Sequence, residues 1–272
     1  MKSKSMLHLA REYVEYRRKL GFQIKVEGAQ TIRFAEFADS IGHQGPLTKE
    51  LVLEWARLPK NSSPLYHARR LEVVRAFAKY LAALDPKTWI PENGLLGRAH
   101  RRTQPHIYSP AEIDRLMSAA RRLIPMYGLR PRTFATLIGL MASTGLRTKE
   151  ALDLVCEDVD FGMGILTIRE TKFYKSRIVP LDKSTTRALR NYAKFRDAYV
   201  SIPKSKAFLL GENGDHLSRT TVYRTFRLLC AASGLRSTNQ RRKTPRLYDL
   251  RHTFCTRRLL DWHRRAADVE QL

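Results

Sequence analysis

Apolar positions recur at helical spacing from Ser5 to Leu84. Between Ser5 and Leu20, Leu9, Tyr13, Tyr16 and Leu20 fall on one face, and Gly21 follows as a stop. A second run, from about residue 28 to 41, carries Ile32, Ala35, Phe37 and Ile41 at helical spacing before Gly42. A third follows Thr48, an N-cap candidate, and ends before Pro59. The fourth opens at Ser63-Pro64, a cap with proline at the first helical position. It continues through Leu71, Val74, Phe77 and Leu81 to Leu84, and Asp85-Pro86 ends it.

The pattern then breaks. Pro86, Pro91, Gly94, Gly97 and Pro105 punctuate residues 86–106, and Arg98, Arg101 and Arg102 charge them. The expected division is a helical domain over 1–88, a linker over 89–106 and a second domain over 107–272. The second domain opens at Ser109-Pro110-Ala111-Glu112, a capping box with proline at N1. Helices are predicted over 110–123, 130–143, 147–153, 183–199 and 218–232, with a last one opening at Thr244-Pro245. Strands are predicted over 164–170 and 177–181, joined by a turn at 172–176, with a further short strand at Ala207–Leu210. The predicted fold class is mostly α with a small β-sheet: four helices, then an α+β domain.

Charge narrows the partner. Fifty Lys and Arg against 26 Asp and Glu give a formal net charge of +24. That excess calls for a polyanion, because each neutralised phosphate releases condensed counterions. DNA, RNA and an acidic membrane surface all fit at this point; no RNP-type signature favours RNA. Cys156, Cys230 and Cys255 are odd in number, widely spaced and free of any C-x-x-C, so neither a disulfide framework nor a structural zinc site is expected. His252, Cys255 and His263 lack recognised ligand spacing, so no metal is expected there either. The start MKSKSMLHLAREY has no signal-peptide stretch. The apolar run between Arg132 and Arg147 falls short of the roughly 20 residues that span a bilayer. The expected setting is the cytoplasm, away from membranes.

Three segments concentrate the chemistry. The first is Ala142-Ser143-Thr144-Gly145-Leu146-Arg147-Thr148-Lys149-Glu150, where an apolar helix ends at a glycine and an arginine begins the next helix. The second is Thr171-Lys172-Phe173-Tyr174-Lys175-Ser176-Arg177-Ile178-Val179-Pro180-Leu181, a basic turn returning into an apolar strand. The third is Arg246-Leu247-Tyr248-Asp249-Leu250-Arg251-His252-Thr253-Phe254, read as helical, with Tyr248 and Arg251 on one face.

In this order and at these separations, the segments resemble the tyrosine recombinase (phage-type integrase) family, and the first four helices resemble its core-binding, SAM-like domain. The resemblance spans nearly the whole chain. It implies a DNA-clamping first domain and a catalytic second domain that cleaves and rejoins DNA through a 3′-phosphotyrosyl intermediate, as in integration or transposition of a mobile element. It implies double-stranded DNA as partner, a homo-oligomer on DNA or a partner recombinase, and no cofactor. Arg147 and Arg251 match the pair of arginines that stabilises the extra negative charge of the transition state. Glu150, one turn after Arg147, orients a guanidinium or nearby backbone. Lys172 matches the hairpin lysine that protonates the leaving oxygen, with Lys175 its alternative should the turn slip. Lys175 and Arg177, together with Arg241, Arg242 and Lys243 before the last helix, are expected on the DNA backbone.

Two departures stand out. Tyr248 occupies the place where the family usually has histidine; a phenol can bond a phosphate oxygen but shuttles protons poorly near neutral pH. No tyrosine follows Tyr248 within the 272 residues. The expectation is a chain that stops before the nucleophilic tyrosine and does not cleave by itself. The alternative is a non-catalytic DNA-binding protein of recombinase descent, acting as a regulator or as partner of a full-length recombinase.

Overall fold

Helices form where the caps stand. The computed structural model describes residues 5–100, 104–169, 176–235 and 244–264 and separates into two units, Met1–Thr103 and Gln104–Leu272. The first unit contains α1 (Met6–Lys19), α2 (Lys25–Ser40), α3 (Lys49–Arg57) and α4 (Pro64–Ala82). Ser5, Thr48 and Ser63 accept the backbone N–H of His8, Leu51 and Tyr66 at 3.2, 3.3 and 3.3 Å, satisfying donors that a helix start leaves without partners. Asp39, near the end of α2, accepts the Met6 and Leu7 N–H groups at 2.9 and 3.0 Å and so ties the start of α1 to α2.

The core of this unit packs Ala10, Tyr13 and Val14 against Phe34, Ala38, Trp55, Leu71, Val74 and Phe77. Phe34 meets Trp55 edge-on at 5.3 Å, a geometry that suits aromatic quadrupoles. The inward stripe of α1 differs from the predicted one: Met6, Ala10, Tyr13 and Val14 are buried, whereas Tyr16 and Leu20 are exposed. Tyr16 lies outside the core against the Tyr80 ring, and Leu20 falls beyond the last helical turn. Ile41, likewise past the end of α2, is exposed.

Residues 89–100, read as the start of a linker, fold back onto the four helices. The Trp89 N–H donates to the Leu47 carbonyl at 2.8 Å, and Arg69 Nε donates to the Ala99 carbonyl at 3.0 Å. Trp89 and Leu96 pack on the helical core. Glycine and proline punctuate this stretch as expected, but its two large apolar side chains supply a reason to stay attached.

The second unit is built around α6 (Leu129–Thr144), whose buried residues include Phe134, Leu137, Ile138, Leu140 and Met141. Packed on it are α5 (Pro110–Arg121), α7 (Thr148–Asp153), α8 (Lys183–Tyr199) and α10 (Asp249–Arg264); α9 (Arg219–Ala232) packs on α5. The capping box of α5 is present: Glu112 Oε2 accepts from the Ser109 N–H at 2.7 Å and Ser109 Oγ from the Glu112 N–H at 3.2 Å. Strands β1 (Val159–Asp160), β2 (Ile165–Ile168) and β3 (Arg177–Pro180) form one antiparallel sheet in that order. In the β2–β3 register Leu166 faces Val179 and Ile168 faces Arg177, which places Arg177 at the end of the ladder. The fold is therefore mostly helical with a small three-stranded sheet.

Two predicted elements come out differently. Ala207–Leu210 is no strand: Ala207 and Leu210 form only single bridges, to Val155 and His216. The segment is buried; the Phe208 N–H donates to the Leu154 carbonyl at 2.6 Å, and side chains satisfy much of the rest of its backbone. Tyr192 Oη accepts the Leu210 N–H at 3.0 Å, Thr133 Oγ1 donates to the Leu210 carbonyl at 2.8 Å, and Arg196 donates to the Phe208 carbonyl at 2.9 Å. The last helix begins at Asp249 rather than at Thr244-Pro245, with Arg246–Leu247–Tyr248 forming a turn before it. Asp249, buried in the first turn, accepts from the Arg246 N–H at 2.9 Å and from Arg246 Nη2 at 2.7 Å.

Candidate active site

The site is organised by the turn that ends α6. Gly145 stands at φ 64°, in the left-handed region, and donates its N–H to the Met141 carbonyl at 3.0 Å. A Cβ there would collide with the Phe254 ring of α10. Glycine is needed twice over, for its backbone angle and for the approach of α10. Leu146 plunges into the core, and Arg147 then emerges as the N-cap of α7.

Glu150 sits at the third position of α7 with a side chain only 9% exposed. Its Oε2 accepts the Arg147 N–H at 2.9 Å, and its Oε1 accepts Arg147 Nη1 at 2.6 Å. Arg177 arrives from β3 and forks onto the same carboxylate, Nη1 to Oε1 at 3.1 Å and Nη2 to Oε2 at 2.7 Å. Burial alone would raise the Glu150 carboxyl, but the hydrogen bonds from Arg177 and Arg147 prevail and hold its pKa at about 2. The Glu150 carboxylate in turn raises the pKa of the Arg147 guanidinium, with a smaller contribution from Tyr248. Both arginines stay partly open to solvent, with side chains 41% and 37% exposed.

Arg251 joins from α10, and its Nη1 donates to the Gly145 carbonyl at 2.6 Å. The two family-type arginines thus belong to one turn: one grows out of it, the other is bonded to it. Tyr248 lies beside Arg147 and packs edge-on against the His252 ring at 5.2 Å. α10 is held in place by Tyr108, which is 1% exposed. The Tyr108 N–H donates to Thr253 Oγ1 at 2.9 Å and its hydroxyl to the Arg246 carbonyl at 2.9 Å, while Arg257 donates to the Tyr108 carbonyl at 2.6 Å. Burial pushes the Tyr108 hydroxyl far above its ordinary range, so it serves as a neutral donor.

The structure thus brings together five of the residues singled out in the sequence: Arg147, Glu150, Arg177, Tyr248 and Arg251. Lys172, Lys175, Arg241, Arg242 and Lys243 lie outside the described residues. Sequence reasoning assigned Arg177 to DNA and missed its fork with Glu150, because that pairing depends on strand register. It also missed Tyr108, which carries no motif, and Asp249, whose signal was an acid at a helix start. Chemically, the arrangement holds the Arg147 and Arg251 guanidiniums at one turn, with the Glu150 carboxylate kept charged between Arg147 and Arg177. Among the described residues, no three His, Cys, Asp or Glu are grouped to hold a metal, and no helix is long and apolar enough to cross a membrane. A groove of about 680 Å³ between α5, α6 and α8, lined by Met117, Arg132 and Tyr192, does not include the arginine turn.

Known proteins resemble this chain in sequence and in fold. The sequence profile of the phage integrase family matches residues 108–261, from Tyr108 past Arg251. A Sinorhizobium fredii protein named as an integrase/recombinase, y4rB, is 41% identical over 265 residues, covering 96% of this chain and 84% of its own length. The tyrosine recombinase XerC of Chlamydia muridarum is 30% identical over 206 residues, covering 75% of this chain and 60% of its own. Among solved structures, the Tn1549 transposon integrase in complex with a circular intermediate DNA superposes with a TM-score of 0.67 at 16% identity, covering 98% of this chain and 89% of that one, a likeness of fold. The chain belongs to the phage integrase family.

Proposed function

We propose that this chain acts on double-stranded DNA in site-specific recombination, its second unit holding the scissile phosphate and its first, core-binding unit clamping the duplex. The observation that carries the reading is the shared turn: Arg147 leaves it and Arg251 bonds its Gly145 carbonyl. A phosphodiester under in-line attack gains negative charge on its non-bridging oxygens. Two guanidiniums anchored at one turn favour that state over the ground state. Tyr248, beside Arg147, bonds a phosphate oxygen where the family usually has histidine. Lys172, in the basic turn, protonates the 5′ oxygen as the P–O5′ bond breaks, with Lys175 as alternative. Arg241, Arg242 and Lys243 hold the DNA backbone.

In this chemistry a tyrosine oxygen attacks phosphorus and becomes the new ester, so one phosphodiester replaces another and rejoining needs no nucleotide cofactor. Tyr248 is the last tyrosine of the 272 residues. No tyrosine of the 272 residues follows the second arginine, the place where the family has its attacking phenol, and in this reading these residues alone bind DNA without cutting it. That feature also favours a second reading, in which the chain is a binding-only regulator or a partner within an oligomer of recombinases. Support comes from the family membership and from relatives named as integrases and recombinases.

The test is an electrophoretic assay of the 272-residue chain on labelled duplex, with single-stranded RNA as competitor. The account expects salt-sensitive duplex binding, poor competition by RNA and no nicking. Preference for RNA would sink the DNA reading; nicking by this chain alone would sink the binding-without-cutting reading.

A further inference from the structure

Glu150 presents a problem for any phosphate that reaches Arg147. Its carboxylate is almost fully buried, and Arg147 Nη1 bonds it at 2.6 Å. Arg147 spends one of its N–H donors on Glu150 and keeps others for a phosphate, but its single positive charge cannot balance both anions. Glu150, held charged beside it, would repel the arriving phosphate.

Arg177 removes the conflict. It reaches the same carboxylate from a different element, β3, and bonds both oxygens, at 3.1 and 2.7 Å. The planar fork matches the carboxylate, so the charge stays compensated by one cation when the other turns away. The Glu150 N-cap bond to the Arg147 N–H, 2.9 Å, involves only backbone on the arginine side and persists as the side chain moves. Near this pair, Arg251 is bonded to the Gly145 carbonyl and Tyr248 lies beside Arg147.

We infer that Arg177 is a positioning residue: it neutralises Glu150 so that the Arg147 guanidinium is free to bind phosphate, and it does not itself contact DNA. The inference rests on the phosphate-binding reading above and adds a role for the hairpin strand. The same fork also fastens the start of β3 to α7.

The experiment is duplex binding by wild type, Arg177→Gln, Glu150→Gln and the double variant, on a mixed-sequence duplex of about 40 base pairs spanning several helical turns. Each is measured over a salt series, with melting temperature in parallel. Arg177→Gln leaves Arg147 clamped on Glu150 and is expected to weaken binding about tenfold. Glu150→Gln removes the competing charge but keeps an acceptor for the Arg147 N–H, and should bind about two- to threefold tighter. The double variant should recover to within about threefold of wild type, with the wild-type salt slope.

A direct phosphate contact by Arg177 gives the opposite result: no recovery in the double variant, and a slope reduced by about 0.9 in both Arg177 variants. That outcome overturns the inference. Should Arg177→Gln fail to fold, Glu150→Gln decides alone, and weaker binding by it at an unchanged melting temperature overturns the inference as well. Absence of duplex binding by wild type would instead defeat the phosphate-binding reading on which it stands.

Discussion

Gly145 is the residue on which the site turns. Its left-handed backbone ends α6, its carbonyl accepts Arg251, and its missing side chain makes room for Phe254. Gly145→Ala is expected to destabilise the second unit by at least about 1–3 kcal/mol from backbone strain alone. Denaturant unfolding should show a lower midpoint at unchanged slope. Glu150 sets a second test. Its folded pKa, about 2, lies below the ordinary 4.5, so its contribution to stability is present above pH 4.5 and is lost as pH falls towards 2. Melting temperatures of wild type should drop through that window, and Glu150→Gln should show a shallower drop. Equal slopes for the two proteins would mean that the carboxylate adds nothing to stability.

Among the elements, α10 depends on contacts remote in sequence. The Tyr108 hydroxyl holds the Arg246 carbonyl, and its N–H holds Thr253. Tyr108→Phe deletes the first of these bonds and should cost about 1 kcal/mol. Hydrogen exchange at the Tyr248–Arg251 amides should quicken in that variant; unchanged exchange would mean the turn is held by Asp249 alone. The sequence made most elements legible because their signals are local: Ser63-Pro64, the Ser109–Glu112 box and the Gly145 stop all act within one turn of helix. It failed where tertiary partners decide. Nothing local says that Tyr192 and Thr133 will satisfy the backbone of 207–210, or that Trp89 will dock on the first unit. Of the site, Arg147, Glu150 and Arg251 could be found from motif spacing. The Arg177 fork could not, since it follows from the register that pairs Ile168 with Arg177.

At the scale of the whole molecule, a net charge of +24 gives non-specific attraction to any polyanion. Bulk charge therefore cannot by itself support the claim that two arginines serve one phosphate. The salt dependence of binding can, because the logarithm of the affinity falls with the logarithm of salt concentration by about 0.9 for each phosphate neutralised. The measurement to make is that slope for wild type and for the double variant Arg147→Gln, Arg251→Gln on the same duplex. Two guanidiniums on a single phosphate predict a slope smaller by about 0.9. An unchanged slope would mean that neither arginine touches DNA, and a loss of about 1.8 would mean that they hold different phosphates. Either result would contradict the account.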